Sequence, residues 1–273
     1  MTWRFCWRLA RGVWQIVSER DLDLIAAGVA FYTMLSLFPA VAAVIALWGF
    51  VSDPHVIEAQ IEIMRPLMPA EAFLIIEGQT DALIASNNST LGLATVISTA
   101  FAIWTARAGV GALKRGLNAA HGTQPRGGLT GVALSLLLTV ALVGIALMAL
   151  VSIVVAPLVL AFLPDLALGG YTMIVVRWTV TVAVMLGGLG LVYRYGPNHR
   201  GARPAWLSPG AIAALLLWAA ASMGLSVYLA NFANYNQVYG SIGAVIALLL
   251  WFFVGALAIL LGAAMNSELE DLG

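Results

Sequence analysis

The stretch "YGSIGAVIALLLWFFVGALAILLGAAMN", residues 239–266, contains neither a charged residue nor a proline. As a helix it reaches about 42 Å at 1.5 Å per residue, more than the ~30 Å of hydrocarbon in a bilayer. A helix apolar around its whole circumference belongs either in the core of a large protein or in a membrane. Gly255, Ala258, Gly262 and Asn266 recur along one of its stripes. Small residues at that spacing let helices approach closely in lipid.

Composition decides between core and membrane. Of 273 residues, 62% are hydrophobic and only 10% charged, with a mean hydropathy of +0.95. A water-soluble domain carries about 25% charged residues, so this chain cannot cover its own surface in water. The sequence reads as an all-α integral membrane protein. Six apolar runs are long enough to cross, at about 24–50, 91–113, 131–163, 171–194, 206–230 and 239–266, forming a single transmembrane domain over 21–273. The third run exceeds what a straight crossing needs, and Pro157 is its expected kink.

Basic residues set the orientation. Arg4, Arg8, Arg11, Arg20, Lys114, Arg115, Arg126, Arg194, Arg200 and Arg203 all fall on one side of six spans. The other side holds Arg65 against Asp53, Glu58, Glu62, Glu71, Glu77, Asp81 and Asp165. Both termini are therefore expected in the cytoplasm.

The segment 1–20 has a separate pattern. Trp3, Trp7, Ala10 and Trp14 share one helical face and Arg4, Arg8 and Arg11 the next. That predicts an amphipathic helix lying in the headgroup layer, tryptophans inward and arginines toward phosphates. A nucleic-acid-binding arm is the rival, and no nucleic-acid partner is expected. Ser18 and Asp21 suggest a capping box opening the first span. Between spans one and two, Phe73, Ile76 and Leu83 recur at helical spacing beyond Pro66 and Pro69. This predicts a structured helical outer loop.

Within the spans, a few polar groups stand out. Tyr32, Ser36 and Pro39 lie on one face of the first, where proline frees a backbone carbonyl that a hydroxyl can satisfy. They line a cavity or simply form a packed kink. Arg107 and Arg177 sit inside spans two and four, in a membrane region almost without carboxylates. An arginine there either snorkels to the surface or attracts an anion. The uncharged run "NFANYNQVYGSIGA", 231–244, places Asn231, Asn234, Asn236, Gln237 and Ser241 between spans five and six. Its amides suit a turn that satisfies free helix ends without burying an ion, or a polar outer gate.

Catalytic signals are missing from the sequence. His55, His121 and His199 fall in different loops, and Cys6 is the single cysteine. No phosphate-cradling glycine loop runs into Lys-Ser/Thr. Neither a metal nor a cofactor is expected, and the chain is not expected to be an enzyme or to hydrolyse ATP.

Four segments, "AAGVAFYTMLSLFPA", "AIWTARAGVGALKRGLNAAHG", "YRYGPNHRGARPAWLSPGA" and "YNQVYGSIGAVIALLLWFFVGALAILLGAAMNSELE", together resemble the YihY/BrkB family of bacterial inner-membrane proteins, formerly mislabelled ribonuclease BN. The resemblance covers nearly the whole chain in order. It implies a six-helix protein of the cytoplasmic (inner) membrane, with some members linked to serum resistance and one branch to lipid export. Two departures are visible: Ala264 in "GAAMNSE" stands where the family commonly has an acidic residue, and "HGTQPRGG" is poorer in charge. The expectation is a transporter or flippase of an anionic lipid or similar amphiphile. Its partners would be membrane lipids and envelope lipid-export machinery. Its path would draw on Tyr32, Ser36, Pro39, Arg107, Arg177, the 231–241 amides and Asn266. The alternative is a non-transporting scaffold in envelope biogenesis.

Overall fold

The computed structural model describes residues 3–49, 73, 77–78, 88–124, 127–142, 170–198, 203–231 and 241–272. Every regular element among them is a helix. In chain order these are α1 (Trp3–Glu19), α2 (Leu22–Gly49), α3 (Asn88–Ala120), α4 (Gly128–Leu142), α5 (Gly170–Tyr195), α6 (Pro209–Asn231) and α7 (Ser241–Leu272). Among the described residues, Pro209–Tyr228 and Val245–Leu272 are long and apolar enough to cross a membrane, and Leu22–Leu37 and Gly128–Leu142 are shorter apolar helices. Large apolar side chains stand exposed along several helices, including Trp178, Leu137, Leu216 and Met223. So much unshielded apolar surface suits lipid rather than water. Pro157 and residues 232–240 lie outside the described residues. So does the 52–90 segment, apart from a buried, helical Phe73, Glu77–Gly78 and the start of α3 at Asn88.

Helix ends depart from the hydropathy runs for local reasons. The α3 helix continues to Ala120 and α7 to Leu272, because "KRGLNAA" and "SELEDL" are polar yet helix-compatible. The α6 helix starts at Pro209, with Ser208 as its cap: the Ala211 N–H donates to the Ser208 carbonyl (2.9 Å) and hydroxyl (3.2 Å). Proline in the first turn has no N–H to satisfy, which is why that start is favoured.

The capping box at Ser18 does not form. Ser18 lies in the last turn of α1, and the break comes at Arg20–Asp21. Asp21 takes a left-handed backbone (φ 48°), and its carbonyl accepts the Ile25 N–H (3.0 Å) to open α2. A short polar side chain tolerates that conformation better than most.

Contacts group the chain into two compact units. The first takes in residues 1–26, 110–220 and 255–273. Here α7 packs on α6 through the small-residue stripe. Gly262 lies against Gly210 and Ala214, and Gly255 against Trp218. Leu260 and Ile25 close over Gly116 of α3. The α1 helix buries Ile16 and brings Gly12 to Glu268, while Trp3, Trp7 and Trp14 stay exposed. The second unit takes in residues 27–109 and 221–254. Among the described residues, one of its buried contacts joins Met34 of α2 to Leu248 of α7, flanked by Leu37 and Phe252.

Candidate functional site

The first unit gathers its buried polar side chains where helices end. The α3 helix leaves its last carbonyls without intrahelical partners, and the Arg20 guanidinium donates to those of Ala119 (2.6 Å) and Ala120 (2.9 Å). Immediately before them, Asn118 is 2% exposed and satisfied on both sides of its amide. Its Nδ2 donates to the Lys114 carbonyl (2.7 Å), while its Oδ1 accepts from the Asn198 N–H (2.8 Å) and the Thr123 hydroxyl (3.0 Å). The Asn198 side chain returns to the Gln124 carbonyl (3.2 Å). The turn after α5 is thereby tied to the end of α3.

Lys114 is buried beside this lattice. Its ammonium donates to the Ser135 hydroxyl (2.6 Å) and the Gly131 carbonyl (3.2 Å), linking α3 to α4. In the same unit, Asn266 of α7 is 4% exposed. Its Oδ1 accepts from the Gly210 N–H (2.9 Å) and its Nδ2 donates to Ser208 (3.0 Å). Tyr193 closes the corner by donating to the Ile259 carbonyl (2.8 Å). Buried and satisfied, these bonds hold one arrangement of helix ends.

In the second unit, Tyr32, Ser36 and Pro39 are half-buried on α2. The Ser36 hydroxyl donates to the Thr33 carbonyl (2.9 Å), within its own helix, rather than to the Leu35 carbonyl that Pro39 leaves free. The Tyr32 ring meets Phe31 edge-on (centroids 5.6 Å apart), and a Cβ placed on Gly109 would touch the Tyr32 Cβ at 3.5 Å. Arg107 of α3 is half-buried, with its guanidinium over the Trp104 ring at 5.9 Å. Because α3 runs on to Ala120, Arg107 lies roughly 20 Å from that helix end at 1.5 Å per residue.

The path residues proposed from sequence therefore divide. Tyr32, Ser36, Pro39 and Arg107 share one unit, and Asn266 belongs to the other, where it bonds the start of α6. Arg177 lies within α5, Asn231 ends α6 and Ser241 begins α7, but the surroundings of their side chains lie outside the described residues, as do Asn234, Asn236 and Gln237 altogether. Sequence reasoning missed Lys114, Asn118 and Tyr193. The first two recur with His121 at i, i+4 and i+7 along the end of α3 and the residue that follows it, a polar spacing visible in the sequence.

Comparison with known proteins gives the wider setting. The family model described as "Virulence factor BrkB" matches residues 13–272. The ribonuclease-like protein YfkH of Bacillus subtilis (strain 168) is 30% identical over 252 residues, which cover 90% of this chain and 89% of that protein. A UPF0761 membrane protein of Xanthomonas oryzae pv. oryzae (strain PXO99A) is 38% identical over 79 residues, 29% of this chain and 18% of that protein. A UPF0761 membrane protein of Xanthomonas campestris pv. campestris (strain B100) is 36% identical over 80 residues, again 29% of this chain and 19% of that one. No solved structure matches.

Proposed function

This chain belongs to the BrkB family of membrane proteins, and from that premise we propose that it moves an anionic lipid or lipid-like amphiphile between leaflets or toward envelope export machinery. In this reading it is a six-span protein of the bacterial inner membrane, not an enzyme, and not driven by ATP hydrolysis of its own. The observation that carries the reading is Arg107. It is half-buried, set well inside α3 and without a carboxylate partner among the described residues. A cation held in an apolar helix is costly, and a phosphate offsets that cost better than lipid tails do. Arg177 is the second arginine that the sequence places inside a span, within α5, and Tyr32, Ser36 and Pro39 supply polar groups on α2. Arg177 would hold a headgroup near the outer side and Arg107 near the inner, with the tails left in the bilayer.

Two expected outcomes test this. Proteoliposomes holding fluorescent phosphatidylglycerol are expected to scramble it faster than empty vesicles. Arg177→Ala should remove most of that excess, and Arg177→Lys should keep part of it, since charge survives while the bidentate fork is lost. Wild type matching empty vesicles for every anionic lipid, or Arg177→Ala matching wild type, refutes the mechanism. For topology, reporter fusions at Gly273 should report a cytoplasmic end and fusions within 52–90 a periplasmic loop. A periplasmic signal from Gly273 counts against six spans.

The scaffold reading has one specific support. The exposed Trp3, Trp7 and Trp14 sit opposite the side of α1 that buries Ile16. The small-residue stripe of α7 offers no such support, because α6 of the same chain covers it.

A further inference from the structure

We propose that the segment joining α5 to α6 carries a binding site for the phosphate of an anionic phospholipid, built from Arg194, Tyr195, Arg203 and Trp206. The four side chains form one stack. The Arg194 guanidinium lies over the Trp206 ring at 5.7 Å, Trp206 meets Tyr195 edge-on at 6.4 Å, and the Arg203 guanidinium lies over the Tyr195 ring at 5.0 Å. An aromatic ring occupies the face of a guanidinium and leaves the N–H edges in its plane free to grip phosphate oxygens.

The stack is preorganised. A Cβ on Gly190 would come within 2.7 Å of the Trp206 carbonyl and 2.9 Å of its ring, so glycine there seats the tryptophan directly on α5. Arg194 Nη1 donates to the Pro204 carbonyl (3.2 Å), holding the strand of chain that carries Arg203. Asn118 secures the preceding turn at Asn198.

Both arginines retain unused capacity. Arg203 is exposed and makes no hydrogen bond among the described residues, and Arg194 spends only its Nη1 there, on the Pro204 carbonyl. Neither guanidinium pairs with a carboxylate there. The sequence contains no Asp or Glu anywhere between Asp165 and Glu268. Two stacked cations without a counter-charge call for an anion.

The surroundings indicate the source of that anion. Leu207, Ile212 and Leu216 are exposed immediately beyond Trp206, so the stack lies where apolar helix surface gives way to polar chain. Trp and Tyr favour that level of a bilayer, and its abundant anion is the lipid phosphodiester. The site stands whether or not the protein transports anything, since holding a headgroup needs no path across the membrane.

The test uses full-length protein purified in neutral detergent, with bound lipid counted by native mass spectrometry. Phosphatidylglycerol should be retained over phosphatidylcholine. Arg203→Gln and Arg194→Gln should each lower that preference about five-fold, the effect expected of one basic residue at an anionic surface. Arg203 is exposed, so its replacement leaves the fold intact, and a melting temperature equal to wild type verifies this. Arg115→Gln removes the same charge from another exposed position and should leave the preference unchanged. Equal retention of the two lipids by wild type, or a loss with Arg115→Gln as large as with Arg203→Gln, overturns the site. Displacement of phosphatidylglycerol by a large excess of inorganic phosphate overturns the lipid as its source, and persistence of the lipid supports it.

Discussion

Gly262→Leu is expected to lower the melting temperature of the detergent-purified protein by about 10 °C or more, or to prevent recovery of folded protein at all. The reason is a contact between backbones. A Cβ at position 262 would run into the Tyr193 hydroxyl and the Gly210 carbonyl and come within 2.9 Å of the Ala214 Cβ. Reciprocally, a Cβ on Gly210 would meet the Gly262 carbonyl and the Asn266 amide. A carbonyl and a methyl cannot rotate out of the way, so α6 and α7 must separate. Separation strains or breaks the Asn266 bonds to Gly210 and Ser208, and the clash with the hydroxyl displaces the Tyr193 bond to the Ile259 carbonyl. Overpacking costs roughly 1–3 kcal/mol and each buried polar group left unpaired about the same again. At about 2–4 °C per kcal/mol for a chain of this size, the total reaches the stated drop. Gly187→Leu and Gly224→Leu serve as controls, because nothing lies within 4 Å of a Cβ at either position. A Gly262→Leu protein melting within a few degrees of wild type would show that the crossing tolerates a side chain.

That crossing was legible in the sequence, since Gly255, Ala258, Gly262 and Asn266 mark one stripe and the stripe packs on α6. The apolar runs overlap the described helices α2 to α7, but the helix ends differ from the ends of the runs. Hydropathy measures transfer to lipid, and "KRGLNAA" and "SELEDL" continue as helix after they have stopped being apolar. Lys114 entered the sequence reading only as a basic residue that sets orientation. Its burial against Ser135 depends on where α4 packs, which no local pattern encodes. Gly190 ends the run "GGLG", 187–190, whose sequence alone points to no contact. Its role appears only when Trp206, sixteen residues later, folds back onto α5. The arginine–aromatic stack was hidden for the same reason, because two of its members end α5 and two lie in the chain before α6.

The second large effect is expected at Asn118. Leucine there is nearly isosteric and remains buried, so the helix survives while three side-chain hydrogen bonds vanish: those with the Lys114 carbonyl, the Asn198 N–H and the Thr123 hydroxyl. Removing one partner of a buried bond leaves the other unpaired, at about 1–3 kcal/mol each. The Lys114 carbonyl still has its place in the helix and Thr123 can turn its hydroxyl, so the Asn198 N–H suffers most. We expect Asn118→Leu to melt roughly 10 °C below wild type at 2–4 °C per kcal/mol. Asn118→Asp should fall between the two, because a carboxylate preserves both accepted bonds and loses the one donated to Lys114. The damage should also be local before it is global. With Asn198 released, the turn after α5 opens, and trypsin should cut after Arg200 well below the melting temperature. Were the lattice only ornamental, Asn118→Leu would match wild type in both melting and trypsin resistance. Leucine and aspartate falling together would instead trace the stability to the bond donated to Lys114, not to the two that anchor the turn.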